Sequence, residues 1–149
     1  MYQIDVDGIN NAFKVENFYF GGQPNQQGLQ YFIDQGVKTI YNLRGFGEDD
    51  FSDQEAFLKE NNIEYKHIPF MGETGFNPEC LETLGQLKQG EGEDKVLIHC
   101  ASGNRIAAWY IIYQVKVKGI DFDTAYDEAI KAGLTNPGLG EAIRQFLGA

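Results

Sequence analysis

Two hydrophobic rhythms alternate along this chain. Short apolar or β-branched runs of strand length occur at 18–20, 37–43, 63–68 and 95–98. Elsewhere apolar residues recur at helical spacing, in the groups Leu29, Phe32, Ile33; Leu81, Leu84, Leu87; Ala125, Tyr126, Ala129, Ile130; and Ile143, Phe146, Leu147. Residues 105–117 are different, because nearly every position from Ile106 through Trp109, Tyr110 and Tyr113 to Val117 is apolar. That run is too long for one strand, and a helix apolar on most sides is a buried helix. Polar residues mark the ends. Asn25 predicts an N-cap and Gly36 the end of the first helix. Ser52 with Glu55 predicts a capping box for a helix reaching Asn61. Asn77-Pro78 predicts a helix start with proline at its first position. Asp121 opens another helix, Gly133 stops it, and Asn136-Pro137 starts the last. Residues 1–12 are polar and read as a loosely held lead-in.

Strands alternating with helices predict an α/β fold, with a central, mostly parallel sheet flanked by helices, in a single domain over residues 1–149. Ligands in such folds bind outside the carboxyl ends of the strands. Arg44, the loop 70–76 and Cys100 each follow a predicted strand end, so all three are expected on one edge.

Charge then narrows the partners. Asp and Glu number 22 against 12 Lys and Arg, a net charge of −10. That opposes nucleic acid and anionic membrane surfaces. A small anion can still be held if the cations gather at one mouth. The histidines are His67 and His99, so no His/Cys cluster has metal-ligand spacing, and no cofactor or metal is expected. Cys80 and Cys100 do not make a disulfide framework, although a protective pair between them is one reading of Cys80. No run approaches the roughly 18 apolar residues of a membrane span. The start Met1-Tyr2-Gln3-Ile4-Asp5 lacks a signal-peptide pattern. The expected compartment is the cytoplasm, or the periplasm if the chain is a mature or trimmed form. Oligomeric state is left open.

The chemistry concentrates in Val96-Leu97-Ile98-His99-Cys100-Ala101-Ser102-Gly103-Asn104-Arg105. This reads as a buried strand, a tight loop and a helix start. Ser102-Gly103-Asn104 is turn chemistry, and Gly103 can take positive φ. Backbone N–H groups of such a turn and of the first helical turn make an anion cradle. The same field favours thiolate, so the Cys100 pKa is expected below its free value of roughly 8.5. Arg105 adds a planar charge suited to gripping an oxyanion at two points.

His99-Cys100, Gly103 and Arg105 resemble the signature loop of the cysteine-dependent, dual-specificity-like tyrosine phosphatases. The likeness is closer to a bacterial group of phosphatases, some fused to metallo-β-lactamase-like hydrolases. It extends to Gly21-Gly22-Gln23-Pro24, Thr39-Ile40-Tyr41-Asn42-Leu43-Arg44, His67-Ile68-Pro69 and Ala132-Gly133-Leu134-Thr135. The resemblance implies a cysteine-phosphatase-like fold hydrolysing a small phosphomonoester through a phosphocysteine. Cys100 is then the nucleophile. Ala101, Ser102, Gly103 and Asn104, with Arg105 and Arg44, bind the anion, and His99 supports the loop. Such phosphatases take their general acid from an aspartate on the loop after the strand preceding the signature strand. Here that loop has no aspartate, and Glu73 is its only carboxylate before Asn77.

Two departures keep other readings open. The phosphatase signature has five residues between Cys and Arg, and this chain has four. Four is the length in rhodanese-type sulfurtransferases, which carry a Cys persulfide. Ile106 also stands where a thiolate-binding Ser or Thr is usual, and Ser102 is the candidate replacement. A non-catalytic anion-binding module is the third reading. Arg44 reads equally as a second substrate cation or as a turn arginine paired with Glu48 or Asp49. His67 reads as a satisfied strand residue, and Trp109, Tyr110 and Tyr113 as core.

Overall fold

Along the described residues of this computed structural model, 2–72, 75–131 and 137–148, strands and helices alternate. In chain order they are β1 (Tyr2–Gln3), β2 (Phe13–Val15), β3 (Phe18–Gly21), α1 (Gln26–Asp34), β4 (Val37–Asn42), α2 (Ser52–Glu60), β5 (Glu64–His67), β6 (Met71–Gly72), β7 (Gly75–Phe76), α3 (Pro78–Gly85), β8 (Lys95–His99), α4 (Asn104–Lys116), α5 (Phe122–Lys131) and α6 (Pro137–Leu147). The main sheet runs β1-β2-β3-β8-β4-β5. β3, β8, β4 and β5 are mutually parallel, and β1 and β2 add an antiparallel edge.

Alternation along the parallel strands explains the layers. Phe18 and Phe20, Val96 and Ile98, and Tyr41 and Leu43 enter one apolar cluster with Ile106–Tyr113 of α4. Tyr19, Leu97 and Ile40 enter a second cluster with Leu29, Phe32 and Leu58 of α1 and α2. Each fully buried Leu, Ile or Phe there contributes about 1.5–3 kcal/mol from transfer out of water. α4 is buried from Ile106 through Gln114, as its continuous apolar run predicts, and Trp109 packs among Phe18, Phe20 and Tyr113. Arrangement in parallel register brings Gly21, His99, Asn42 and His67 into one row at the carboxyl edge.

Several local expectations are met and several are corrected. Asn25 caps α1 by accepting from Gly28 N, and Asn77 caps α3 by accepting from Glu79 N. Asp121 likewise accepts from Thr124 N at the start of α5. Ser52 is not the cap of α2. It is already helical, and Asp50 Oδ1 accepts its N–H at 2.9 Å, so the acceptor comes from two residues earlier. Ile130, expected to face inward with Ala125 and Ala129, is exposed. Part of the expected loop 70–76 forms the β6–β7 pair. Gly133, with the whole stretch 132–136, lies outside the described residues.

The lead-in is the largest correction. Residues 2–12 are tied into the sheet and its edge. β1 pairs with β2, and Ile9 and Ala12 are buried in the second cluster. Gly8 O accepts from Asn25 N, and Asn10 O from Gly22 N, both at 2.8 Å. The segment's polar side chains hid this, because much of its anchoring runs through backbone groups.

Candidate active site

Cys100 directly follows β8 and has no exposed surface. Its N–H donates to Gly21 O at 3.2 Å, extending the parallel ladder by one residue. The chain then turns through Gly103 at φ +107, a left-handed conformation that suits glycine, and α4 begins at Asn104. Gly103 N donates to Cys100 Sγ at 3.1 Å. That amide occupies the role for which Ser102 was the sequence candidate. Ser102 Oγ instead accepts from Asn104 Nδ2 at 3.4 Å.

The loop's carbonyls are held on its outer side, each by a different donor. Cys100 O faces His99 Nδ1 at 3.3 Å. Ala101 O accepts from Gln23 N at 3.0 Å, and Ser102 O from Asn11 Nδ2 at 2.9 Å. Since a peptide's N–H and C=O point oppositely, amides following those carbonyls are directed the other way. Together with the start of α4 they form the geometry of an anion cradle. Gly22 is part of this arrangement, because a Cβ there would sit 2.7 Å from Ala101 O.

Three charged groups meet above the loop. Glu48 Oε2 accepts from Arg105 Nη1 at 2.7 Å and from Gly45 N at 2.5 Å, and lies 3.7 Å from Arg44 Nε. The hydrogen bond from Arg105 is the largest of the influences holding the Glu48 carboxyl below its ordinary range. One carboxylate oxygen thus lies between both arginines. Arg44 stacks over Phe51 at 5.2 Å, lies 3.8 Å from Asp49, and donates from Nη1 to Gln23 Oε1 at 3.0 Å. The pairing of Arg44 with Glu48 and Asp49 is thus observed, with the Arg44 side chain 14% exposed beside Arg105's partner.

His99 is completely buried, and that burial pushes its pKa down to about 3. Its Nε2 lies 2.8 Å from Gln54 Nε2. His67 Nε2 lies 2.8 Å from Arg44 O, and its ring packs against Phe46 and Phe51. Cys80 is a free, buried thiol donating to Ile68 O, with its pKa pushed up to about 12 chiefly by burial. Cys100 is also free, so the two do not form a disulfide. Glu73 lies outside the described residues.

Residues 4–131 match the family described as a DSP-PTPase phosphatase fused to NAD+ kinase. The chain belongs to that family. This phosphatase-family chain is similar to the dual specificity protein phosphatase TpbA of Pseudomonas aeruginosa, at 28% identity over 130 residues. That match takes in 86% of this chain but 57% of TpbA's own length. A β-lactamase hydrolase-like protein of Xylella fastidiosa is 28% identical over 104 residues, which are 67% of this chain and 24% of that protein. The fold of the family member matches the crystal structure of P. aeruginosa TpbA with a TM-score of 0.74 at 24% identity, covering 96% and 88% of the two chains. It also matches the core catalytic domain of the PP-IP phosphatase Siw14 of S. cerevisiae, with a TM-score of 0.73 at 18% identity, covering 94% and 87%.

The structure brings together Cys100, the 101–104 loop, Arg105, Arg44 and His99, as their strand-end positions predict. Gln23, Gln54 and Asn11 were not singled out by sequence reasoning, and Glu48 was named only as a partner of Arg44, not of Arg105. Gln23 carried a signal, since it lies in the Gly21-Gly22-Gln23-Pro24 stretch quoted for the family resemblance. The Glu48–Arg105 pair and Gln54 carried none, because a glutamate in an acidic loop and a glutamine in a polar helix look like solvated residues.

Proposed function

We propose that this chain is a cysteine-dependent phosphomonoesterase acting on a small anionic, phosphorylated substrate. The observation that carries this reading is the outward-held carbonyls of residues 100–102, with Gly103 N–H on Cys100 Sγ at 3.1 Å. Cys100 attacks phosphorus as thiolate, forming an S–P bond as the ester P–O bond breaks. The loop amides and the Arg105 fork stabilise the equatorial oxygens as charge develops. Glu73 gives its proton to the departing oxygen. Water then cleaves the S–P bond and releases inorganic phosphate. Arg44 supplies a second cation at the mouth. A sulfur with no exposed surface is reached only when the substrate opens the cradle, and Glu48 then yields Arg105 to the phosphoryl group.

Family membership favours phosphoryl over sulfur transfer. The neighbours' ligands support a small anion as substrate: TpbA has been crystallised with pTyr, and the Siw14 core with citrate. Among the described residues no helix is long and apolar enough to cross a membrane.

The test is phosphate release from aryl and alkyl phosphates by the wild type and by Cys100→Ser, with mass spectrometry of Cys100. A phosphoryl adduct on Cys100, and loss of turnover in a folded Cys100→Ser variant, are expected. A stable Cys100 persulfide after polysulfide, with no phosphoryl adduct from any ester, would replace this reading with sulfur transfer.

A further inference from the structure

Arginine can only donate hydrogen bonds, and that fact fixes a chain of four side chains behind the cradle. Arg44 Nη1 stands 3.0 Å from Gln23, so Gln23 must present its oxygen there. Its amide nitrogen then faces the other way and donates to Pro24 O at 3.1 Å and to Gln54 at 2.9 Å, using both hydrogens. Gln54 must therefore accept with Oε1 and turn its own nitrogen to His99 Nε2, 2.8 Å away. A nitrogen receiving that bond carries a lone pair, so the ring proton sits on Nδ1, facing Cys100 O at 3.3 Å. Reversing Gln23 places donor against donor at Arg44 and oxygen against Pro24 O, and reversing Gln54 alone places donor against donor at Gln23. Water does not relieve such a clash, since Gln54 is 8% exposed and His99 not at all. The charged and titratable groups acting on His99 are Arg44 from the loop after β4, His67 on β5 and Arg105 on α4, and each disfavours a second ring proton, as burial does.

We propose that Gln23 and Gln54 are positioning residues that transmit the donor character of Arg44 to the nucleophile loop, fixing His99 as its Nδ1–H tautomer and so turning the Cys100 carbonyl out of the cradle. With the proton on Nε2 instead, the Nδ1 lone pair would face the carbonyl oxygen. The Cys100–Ala101 peptide would then be pushed toward the anion site. The kinetic consequence rests on the phosphatase reading, whereas the tautomer does not.

The experiment is 15N NMR of selectively labelled histidine, simplified by there being 2 histidines in the chain. In the wild type His99 is expected neutral, with its proton on Nδ1, throughout the neutral pH range. Gln54→Glu sets an acceptor against Nε2 and should bring a proton there. Arg44→Met removes one of the two groups that set the direction, Pro24 O being the other, and should raise the share of the Nε2–H tautomer. Gln54→Met keeps bulk without a donor. It should lower kcat by on the order of 10- to 100-fold, the range seen when the outer partner of a metal-ligating histidine is lost, with KM changed by less than about threefold. Wild-type His99 protonated on Nε2 would overturn the relay. So would an unchanged Nδ1–H signal in Gln54→Glu and Arg44→Met, or full kcat in Gln54→Met. If Gln54→Glu does not fold, the wild-type tautomer and Arg44→Met decide. A correct tautomer pattern in a protein that cleaves no phosphoester would leave the relay standing and remove the phosphatase reading. An active phosphatase with the wrong tautomer would do the reverse.

Discussion

The Glu48 carboxylate holds Arg105 through a 2.7 Å bond to Nη1, joining the loop after β4 to the start of α4. The same oxygen takes the Gly45 amide at 2.5 Å and approaches Arg44 Nε at 3.7 Å. In the proposed mechanism an incoming phosphoryl group needs the two arginines. Under that mechanism Glu48 is a built-in occupant that substrate displaces.

Replacing that occupant has a definite direction. Glu48→Gln removes a like charge from the path of a dianion while keeping the side chain's shape. Vanadate or phosphate affinity is expected to rise roughly three- to tenfold, a modest gain because the site is partly exposed and screened. Equilibrium titration of the oxyanion checks it, and weaker binding in Glu48→Gln would assign Glu48 to holding Arg105 in place instead.

Gly22 tests the back wall of the cradle. Its added Cβ would meet the Ala101 carbonyl oxygen at 2.7 Å, which is backbone and cannot swing aside. Gly22→Ala is expected to cost about 1–3 kcal/mol in urea unfolding, as overpacking does. It should also weaken oxyanion binding, because Ala101 is part of the loop. Unchanged stability and binding would mean that the 101–102 backbone is free to shift.

His99 sets an acid limit on stability. Its native pKa is pushed down to about 3 by burial, below the unfolded value of 6.5. Below pH 6.5 the unfolded chain binds a proton that the native ring refuses, so the native state loses relative stability as pH falls toward 3. The contribution is complete above 6.5, and its steepest slope is about 1.4 kcal/mol per pH unit for one proton. Urea unfolding across this range should show that slope in the wild type. His99→Asn should flatten it, whereas an equal slope in both would assign the acid sensitivity to other groups.

Glu73 carries the leaving-group step in the proposed mechanism. Glu73→Gln should hardly change hydrolysis of an activated aryl phosphate, whose leaving group needs no proton. Hydrolysis of an alkyl phosphate should slow by roughly 10²-fold or more, the usual scale of general-acid catalysis. Steady-state rates on the two esters make the comparison, and equal losses on both would remove Glu73 from the role.

What the sequence determined by itself is whatever neighbouring residues settle among themselves. The unbroken apolar run of 106–113 could only be a buried helix, and Gly103 supplies the one turn conformation that joins β8 to it. Asn25 and Asn77 cap their helices because an acceptor two or three residues from an orphan N–H needs no distant partner. Parallel strands also made the shared edge of Arg44, Cys100 and the loop after β5 predictable from chain order. Tertiary structure decided which polar groups meet. Asn11 reaches Ser102 across 91 residues, Glu48 reaches Arg105 across 57, and Gln54 reaches His99 across 45. Those pairings follow from the strand order β3-β8-β4, which inserts the strand leading to Cys100 between two strands from the first third of the chain. No local pattern records that insertion. An apolar residue announces its burial through the periodicity of its neighbours, but a glutamine or glutamate reveals its partner only once the sheet has brought the two together.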